Sequence, residues 1–203
     1  MDVTVVIGTY GDSTWIDLAE NRAAPSARAL DVPVVLAHGD TLHDARNDGL
    51  AQVDTEHVCF LDADDQLEPG YFDHLARSSA DIRVPAVRYI TSGPIPRPRM
   101  PRVAGHPHDC TADCLAFGNW LVIGSVAPTA LVRQVGGFAD FPWSEDWDLW
   151  VRCWHAGASI EACPSAVYRA HVRRDSRNRG ADQATKLASH QAIARANGLP
   201  VPA

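Results

Sequence analysis

Three carboxylates fall within four residues at Asp62-Ala63-Asp64-Asp65. Side chains so close repel one another, and each is costly to hold near apolar sequence without a compensating charge. A hard divalent cation supplies that compensation and can neutralise phosphate oxygens on a bound ligand at the same time. The same string also suits an ordinary acidic turn, with Asp65 capping the element after it. A second concentration of chemistry is Trp143-Ser144-Glu145-Asp146-Trp147-Asp148-Leu149-Trp150. Trp147, Trp150, Val151 and Trp154 recur at helical spacing, which predicts an amphipathic helix. Ser144 is placed to cap it, and the helix dipole favours Glu145 and Asp146 in its first turn. Asp148 and Arg152, four apart, are expected to pair on its exposed side. Acidic residues at a helix start need no catalytic reason, but a carboxylate fixed at a rigid helix start is well suited as a general base.

The elements that must position these groups read as an alternating α/β chain. Val3-Thr4-Val5-Val6-Ile7 is a β-branched run of the kind buried on both faces of a parallel sheet. Asp12 or Ser13 can cap the helix after it, through Trp15, Leu18 and Ala19. A second strand, Val32 to Ala37, and a helix from about Thr41 to Ala51 lead to a third strand, His57 to Leu61, which stops at Asp62. This β-α-β-α-β order implies parallel pairing with right-handed crossovers. Ligands of such sheets bind beyond the carboxyl ends of the strands. Thr9-Tyr10-Gly11, His38-Gly39-Asp40 and Asp62 to Asp65 therefore converge on one crevice. Pro69 is expected to begin a helix and Ile82 to Ile90 to form a strand. Gly93 to Pro107, rich in Pro and Arg, reads as a mobile loop over a site. Apolar sequence resumes at Asn119 to Ala127. Short strands are expected at Ser159 to Cys163 and Ala166 to Val172, and a polar surface helix from about Ala181 to Asn197.

Bulk composition narrows the function. The 203 residues suffice for one sizeable core, and 46% hydrophobic with 21% charged residues is ordinary for a globular protein. A formal net charge of −7 disfavours nucleic acid as a partner. No apolar run approaches the roughly 20 residues of a membrane span. Met1-Asp2 leads straight into a strand without signal-peptide features, and five scattered cysteines suit a reducing cytoplasm.

Five pieces in order give the chain a specific resemblance. They are Val5-Val6-Ile7-Gly8-Thr9-Tyr10, Ala45-Arg46-Asn47-Asp48-Gly49, Phe60-Leu61-Asp62-Ala63-Asp64-Asp65, Gly136-Gly137-Phe138 followed by Glu145-Asp146-Trp147-Asp148-Leu149-Trp150-Val151-Arg152, and Tyr168-Arg169-Ala170-His171. Together they resemble a family 2 glycosyltransferase, a nucleotide-diphospho-sugar transferase of GT-A fold: a single α/β, Rossmann-like domain with a mainly parallel sheet flanked by helices. The resemblance implies that Thr9, Tyr10 and Gly11 line the nucleotide pocket, Tyr10 against the base. Arg46 would approach the diphosphate or the sugar. Asp62 would contact the ribose or the metal shell, beside Ala63, and Asp64 would coordinate Mn²⁺ or Mg²⁺ directly. Asp146 would be the general base, with Glu145 second, and His171 would complete the metal site. Where family members carry an Asp-rich turn after the second strand, this chain has Leu36-Ala37-His38-Gly39-Asp40, and Asp40 is the candidate substitute for reading the nucleobase.

The implied activity is inverting transfer of a sugar from a nucleotide-diphospho-sugar donor to a hydroxyl of a glycan, lipid-linked or protein acceptor. Residues 1–92 would form the nucleotide-binding half, 93–118 a mobile loop region, 119–180 the acceptor and catalytic half, and 181–203 a C-terminal helix and tail. Sugar nucleotidyl transfer is the enzymatic alternative, but Gly8-Thr9-Tyr10-Gly11-Asp12-Ser13 lacks the basic residues that cradle a triphosphate. A catalytically inert nucleotide-sugar-binding module is the other. His106, His108, Cys110 and Cys114 offer zinc-ligand types without the usual paired spacing, or belong to an acceptor-side loop. Arg173, Arg174, Arg177 and Arg179 form a solvated patch or a diphosphate closure. Trp120 and Trp143 either stack on an acceptor sugar or are core.

Overall fold

The computed structural model describes residues 1–91, 111–173 and 182–202. The proline-rich stretch, His106, His108, Cys110, Arg174, Arg177 and Arg179 lie outside the described residues. Among the described residues seven strands form one sheet: β1 (Val3–Tyr10), β2 (Val34–Gly39), β3 (His57–Phe60), β4 (Gln66–Leu67), β5 (Ile82–Thr91), β6 (Val126–Pro128) and β7 (Ile160–Val172). Their spatial order is β2-β1-β3-β6-β5-β7-β4. β1 pairs in parallel with β2 and β3, and β5 with β7, while β6 and β4 run against their neighbours. Most strands thus share one direction, as the sequence pattern implied.

The crossovers follow from local signals. Asp12 accepts a hydrogen bond from the Thr14 N–H and starts α1 (Ser13–Leu18). This helix passes through a π turn, Ala19–Ala23, into α2 (Ala24–Arg28). Asp31, at a φ of 55°, then turns the chain, so β2 begins after Pro33 rather than at Val32. Thr41 caps α3 (Leu42–Ala51) through the Asp44 N–H. Gly49 lets α3 lie directly on β1: a Cβ there would sit 2.3 Å from a Val6 methyl. The remaining helices are α4 (Tyr71–Leu75), α5 (Thr129–Gln134), α6 (Glu145–His155) and α7 (Gln183–Ala196), with a 3₁₀ turn at Ala112–Ala116. Helix α4 starts behind Gly70, just past Pro69, because Gly70 takes the left-handed conformation at the cap.

Val5, Val6, Ile7, Phe60, Leu61, Tyr71, Leu149, Trp150 and Tyr168 form the centre of the core. Burial of the Trp147, Trp150 and Val151 face of α6 agrees with its periodicity. Two expectations need correction. The two short C-terminal strands are one strand, β7, whose register against β5 jumps from Pro85↔Cys163 to Ala86↔Val167. Pro164 lacks the N–H that a continuous ladder needs, so the chain bulges there instead of ending. Helix α7 is not merely a polar surface helix, because Ser189, Ile193 and Ala194 are buried against the body.

Candidate active site

The acidic segment lies at the carboxyl end of β3, and its residues alternate in exposure. Ala63 and Asp65 are buried, whereas Asp62 and Asp64 are half-exposed. Asp65 accepts hydrogen bonds from the His171 backbone N–H at 2.7 Å and the Tyr168 hydroxyl at 2.8 Å. It therefore ties the turn to β7. Burial, with the charges of Asp62 and Asp64, pushes its carboxyl above the usual range, against those two hydrogen bonds. Asp64 is pushed up to about 6, by burial first and by Asp62 second. The turn thus holds two accessible carboxylates whose joint ionisation is unfavourable, the condition under which a cation is attracted.

Arg46 links this turn to the second motif. The guanidinium is only 4% exposed. Its Nη2 donates to Asp62 Oδ1 at 2.7 Å and its Nη1 to Glu145 Oε1 at 2.6 Å. The Phe138 ring lies 5.0 Å from its Cζ. Burial alone would weaken its hold on the proton, but the charges of Asp62, Glu145 and Asp146 outweigh that, so it stays protonated. Asn47, next on α3, grips Phe138 with two hydrogen bonds, its Nδ2 to the Phe138 carbonyl and its Oδ1 from the Phe138 N–H. Gly137, at a φ of 68°, is required there because a Cβ would come within 2.4 Å of Asn47 Oδ1.

Asp146 sits one residue beyond Glu145 at the start of α6. Its Oδ1 accepts the Trp147 N–H at 2.9 Å and its Oδ2 accepts Asn119 Nδ2 at 2.8 Å. Burial, then Glu145, push its carboxyl up to about 6, and Arg46 pulls the other way. A carboxyl poised near neutrality can take a proton at physiological pH. Ser144 does not cap this helix. It adopts a left-handed φ of 59°, and its hydroxyl meets His190 Nε2 of α7 at 2.9 Å. Nor is the Asp148–Arg152 pair on the exposed side. Asp148 is buried, and Arg152 also donates to the Val135 and Gly137 carbonyls, bracing the Gly136-Gly137-Phe138 turn.

The other expected site residues are placed as follows. Thr9 is buried, its hydroxyl bonded to the Ala37 carbonyl and His38 Nδ1, so it braces β1 against β2. Tyr10 is half-buried at the end of β1, and Gly11 and Asp40 are exposed beyond the ends of β1 and β2. His171 Nε2 lies 2.9 Å from Gln66 Oε1. Among the described residues no group of three or more His, Cys, Asp or Glu side chains is arranged to hold a metal. Trp120 is buried, in accord with the core reading, and Trp143 is half-buried. Two contacts had no sequence signal. Arg22 reaches from the π turn to donate to the Asp64 carbonyl at 3.1 Å, and Asn119 reaches Asp146 from an irregular segment. Among the described residues no helix is long and apolar enough to cross a membrane.

Comparison with known proteins agrees with this fold. The sequence pattern described as glycosyl transferase family 2 matches residues 30–133. No curated protein matches the sequence. Among solved structures, S. aureus TarS 1-349 superposes with a TM-score of 0.61 at 14% identity, over 95% of this chain and 64% of that one. Its complex with UDP-GlcNAc gives a TM-score of 0.65 at 14% identity, over 95% of this chain and 65% of that one. At this identity the likeness speaks to the fold, and the chain spans slightly under two thirds of the length of those structures.

Proposed function

The chain belongs to glycosyl transferase family 2, and from that premise we propose that it transfers a sugar from a nucleotide-diphospho-sugar to an acceptor hydroxyl, with Asp146 as general base and inversion at the anomeric carbon. The observation that carries this reading is the Arg46 bridge. One buried cation, bonded to Asp62 and to Glu145, locks the acidic turn at the end of β3 to the helix start that bears Asp146. In this reading the donor-binding and proton-accepting groups are thereby held together near the strand ends where such sheets bind ligands.

In this reading Tyr10, Gly11 and Asp40 border the nucleotide at the ends of β1 and β2. Thr9 supports them from beneath. Arg46 donates to two carboxylates, so in this reading its first role is to fix Asp62 and Glu145. Asp146 takes the acceptor proton as the hydroxyl oxygen attacks the anomeric carbon in line. Its carboxyl, near 6, is largely ionised at neutral pH yet remains a useful base.

The donor set suits a divalent cation in part. Asp62 and Asp64 offer hard oxygens, and the charge of Asp62 adds to burial in raising the Asp64 carboxyl. His171 fits less well, since its Nε2 is paired with Gln66. Asp62 and Asp64 would hold Mn²⁺ or Mg²⁺, which when bound would offset charge on the departing diphosphate. The described free cysteines, Cys59, Cys114, Cys153 and Cys163, accord with the cytoplasm as the site of action. The acceptor would be a glycan, a lipid-linked sugar or a protein.

UDP-GlcNAc is the first donor to try, because the TarS structure binds it. The test follows UDP release and product formation with Mn²⁺ across a donor and acceptor panel. Asp64→Ala should abolish turnover together with metal-dependent nucleotide binding. Asp146→Asn should retain nucleotide binding and lose transfer, by roughly 10²–10⁴-fold as is typical when a general base is removed. In the wild type saturated with donor and Mn²⁺, kcat should fall about tenfold per pH unit below about 6, as Asp146 becomes protonated. Full transfer by Asp146→Asn would sink the base assignment.

A further inference from the structure

The 3₁₀ turn and the segment that leads from it to β6 are anchored to α6 at one point each. Trp147 Nε1 donates to the Leu115 carbonyl at 2.9 Å, and Asn119 Nδ2 donates to Asp146 Oδ2 at 2.8 Å. The Asn119 amide is itself fixed, because its Oδ1 accepts the Leu121 N–H at 3.1 Å. With Oδ1 occupied in this way, the NH₂ end is turned toward Asp146. The Trp147 N–H holds the other carboxylate oxygen.

We propose that Asn119 is a positioning residue for glycosyl transfer: it clamps Asp146 Oδ2 so that the carboxylate presents one fixed face to the acceptor hydroxyl. This rests on the reading of Asp146 as the base. Both oxygens of the carboxylate have a donor, from different parts of the chain, so rotation about its terminal torsion is blocked. A base left free to rotate would still ionise, but it would lie in line with the acceptor for a smaller part of the time, and misplacement by about 1 Å can cost 10²-fold in rate. Asn119 is exposed, so its hydrogen bond competes with water and adds little to folding stability.

The charged groups facing Asp146 are Glu145 beside it on α6, Arg46 from α3 and Asp62 from the turn after β3. Glu145 and Asp62 disfavour its ionisation, and Arg46 favours it. The Asn119 N–H is a neutral donor that favours the ionised form. Its removal should therefore raise the Asp146 carboxyl further while loosening its orientation.

The test compares the whole chain with Asn119→Ala and Asn119→Asp. The Asp146 carboxyl is titrated by ¹³C NMR in protein labelled at aspartate carboxyls, with Asp146→Asn to assign the resonance. UDP release from UDP-GlcNAc with Mn²⁺ gives the rates. Asn119→Ala should raise the Asp146 midpoint by roughly half a unit to one unit and lower kcat about 10- to 100-fold. KM for the donor and the melting temperature should stay close to wild type. Asn119→Asp, which adds a like charge, should raise the midpoint more. An unmoved midpoint in both variants overturns the proposal whatever donor the protein takes. If Asp146→Asn abolishes transfer while Asn119→Ala keeps the wild-type kcat, only the role of Asn119 falls. If Asp146→Asn transfers normally, the base assignment falls, and Asn119 with it.

Discussion

Arg46 shows why a buried ion pair must be judged by what its loss leaves behind. Arg46→Ala would take from Glu145, itself only 2% exposed, its 2.6 Å ion pair. Breaking a buried pair from one side typically costs about 3–5 kcal/mol, a large part of the roughly 5–15 kcal/mol that holds a domain folded. Urea denaturation should show that loss as a lowered midpoint. Arg46→Met combined with Glu145→Leu removes both charges, and should recover most of the stability because apolar replacement of a buried pair is often neutral. The double variant should still fail to transfer sugar, since Asp62 and the start of α6 would no longer be joined. Single and double variants of equal stability would refute the bridge as a structural element. The sequence singles out Arg46 as a candidate from its place in Ala45-Arg46-Asn47-Asp48-Gly49. Its pairing with Asp62 and Glu145 was not legible, because they lie 16 and 99 residues away and nothing local encodes either contact.

At the scale of elements, sequence periodicity worked where one face of a helix met the core and failed where a distant element intervened. The tryptophan spacing of α6 located the helix and its buried face correctly. Ser144 as its cap followed an equally sound local rule, yet His190, 46 residues on, captures the hydroxyl and the backbone turns left-handed. In the same way Asp148, expected to face solvent, is buried beneath α7, where Asn197 Nδ2 donates to its Oδ1 at 2.8 Å. Helix α7 thus acts as a brace on the segment that carries the proposed base. The opposite end of the site depends on α3 lying flat on β1, which Gly49 permits. Gly49→Ala should wedge α3 away from Val6, since the new Cβ would fall 2.3 Å from a methyl. Overpacking of this kind costs about 1–3 kcal/mol. Donor affinity should weaken together with stability, as Arg46 and Asn47 shift with the helix. A melting temperature unchanged from wild type would show that the contact yields without cost.

For the whole molecule, the β-α-β-α-β order and the convergence of three strand ends were legible because they depend on chain direction and alternation alone. The insertion of β6 between β3 and β5 was not, since strand order depends on pairings that no local pattern specifies. The assembled site carries a pH signature of its own. Asp64 and Asp146 both have carboxyls raised to about 6, so the folded state binds more protons than the unfolded chain between about pH 4 and 6. Their contribution to stability is therefore present below the unfolded value near 4 and is lost as pH rises through 6. His171 and His190, lowered by burial, act in the opposite sense, and their contribution is lost as pH falls below about 6.5. A single melting curve against pH would blend the two, so the difference between Asp64→Asn and wild type is the informative quantity. In EDTA that difference should be near zero at pH 4 and grow until about pH 6. Above that it should level off with the variant more stable by on the order of 1 kcal/mol, discounted for the partial exposure of Asp64. For a chain of this size that is about 2–4 °C in melting temperature. Mn²⁺ at pH 7.5 should reverse the order, raising the wild-type melting temperature and leaving Asp64→Asn where it was, because an ion held by Asp62 and Asp64 binds only the folded form. An equal rise in both proteins would place the ion elsewhere.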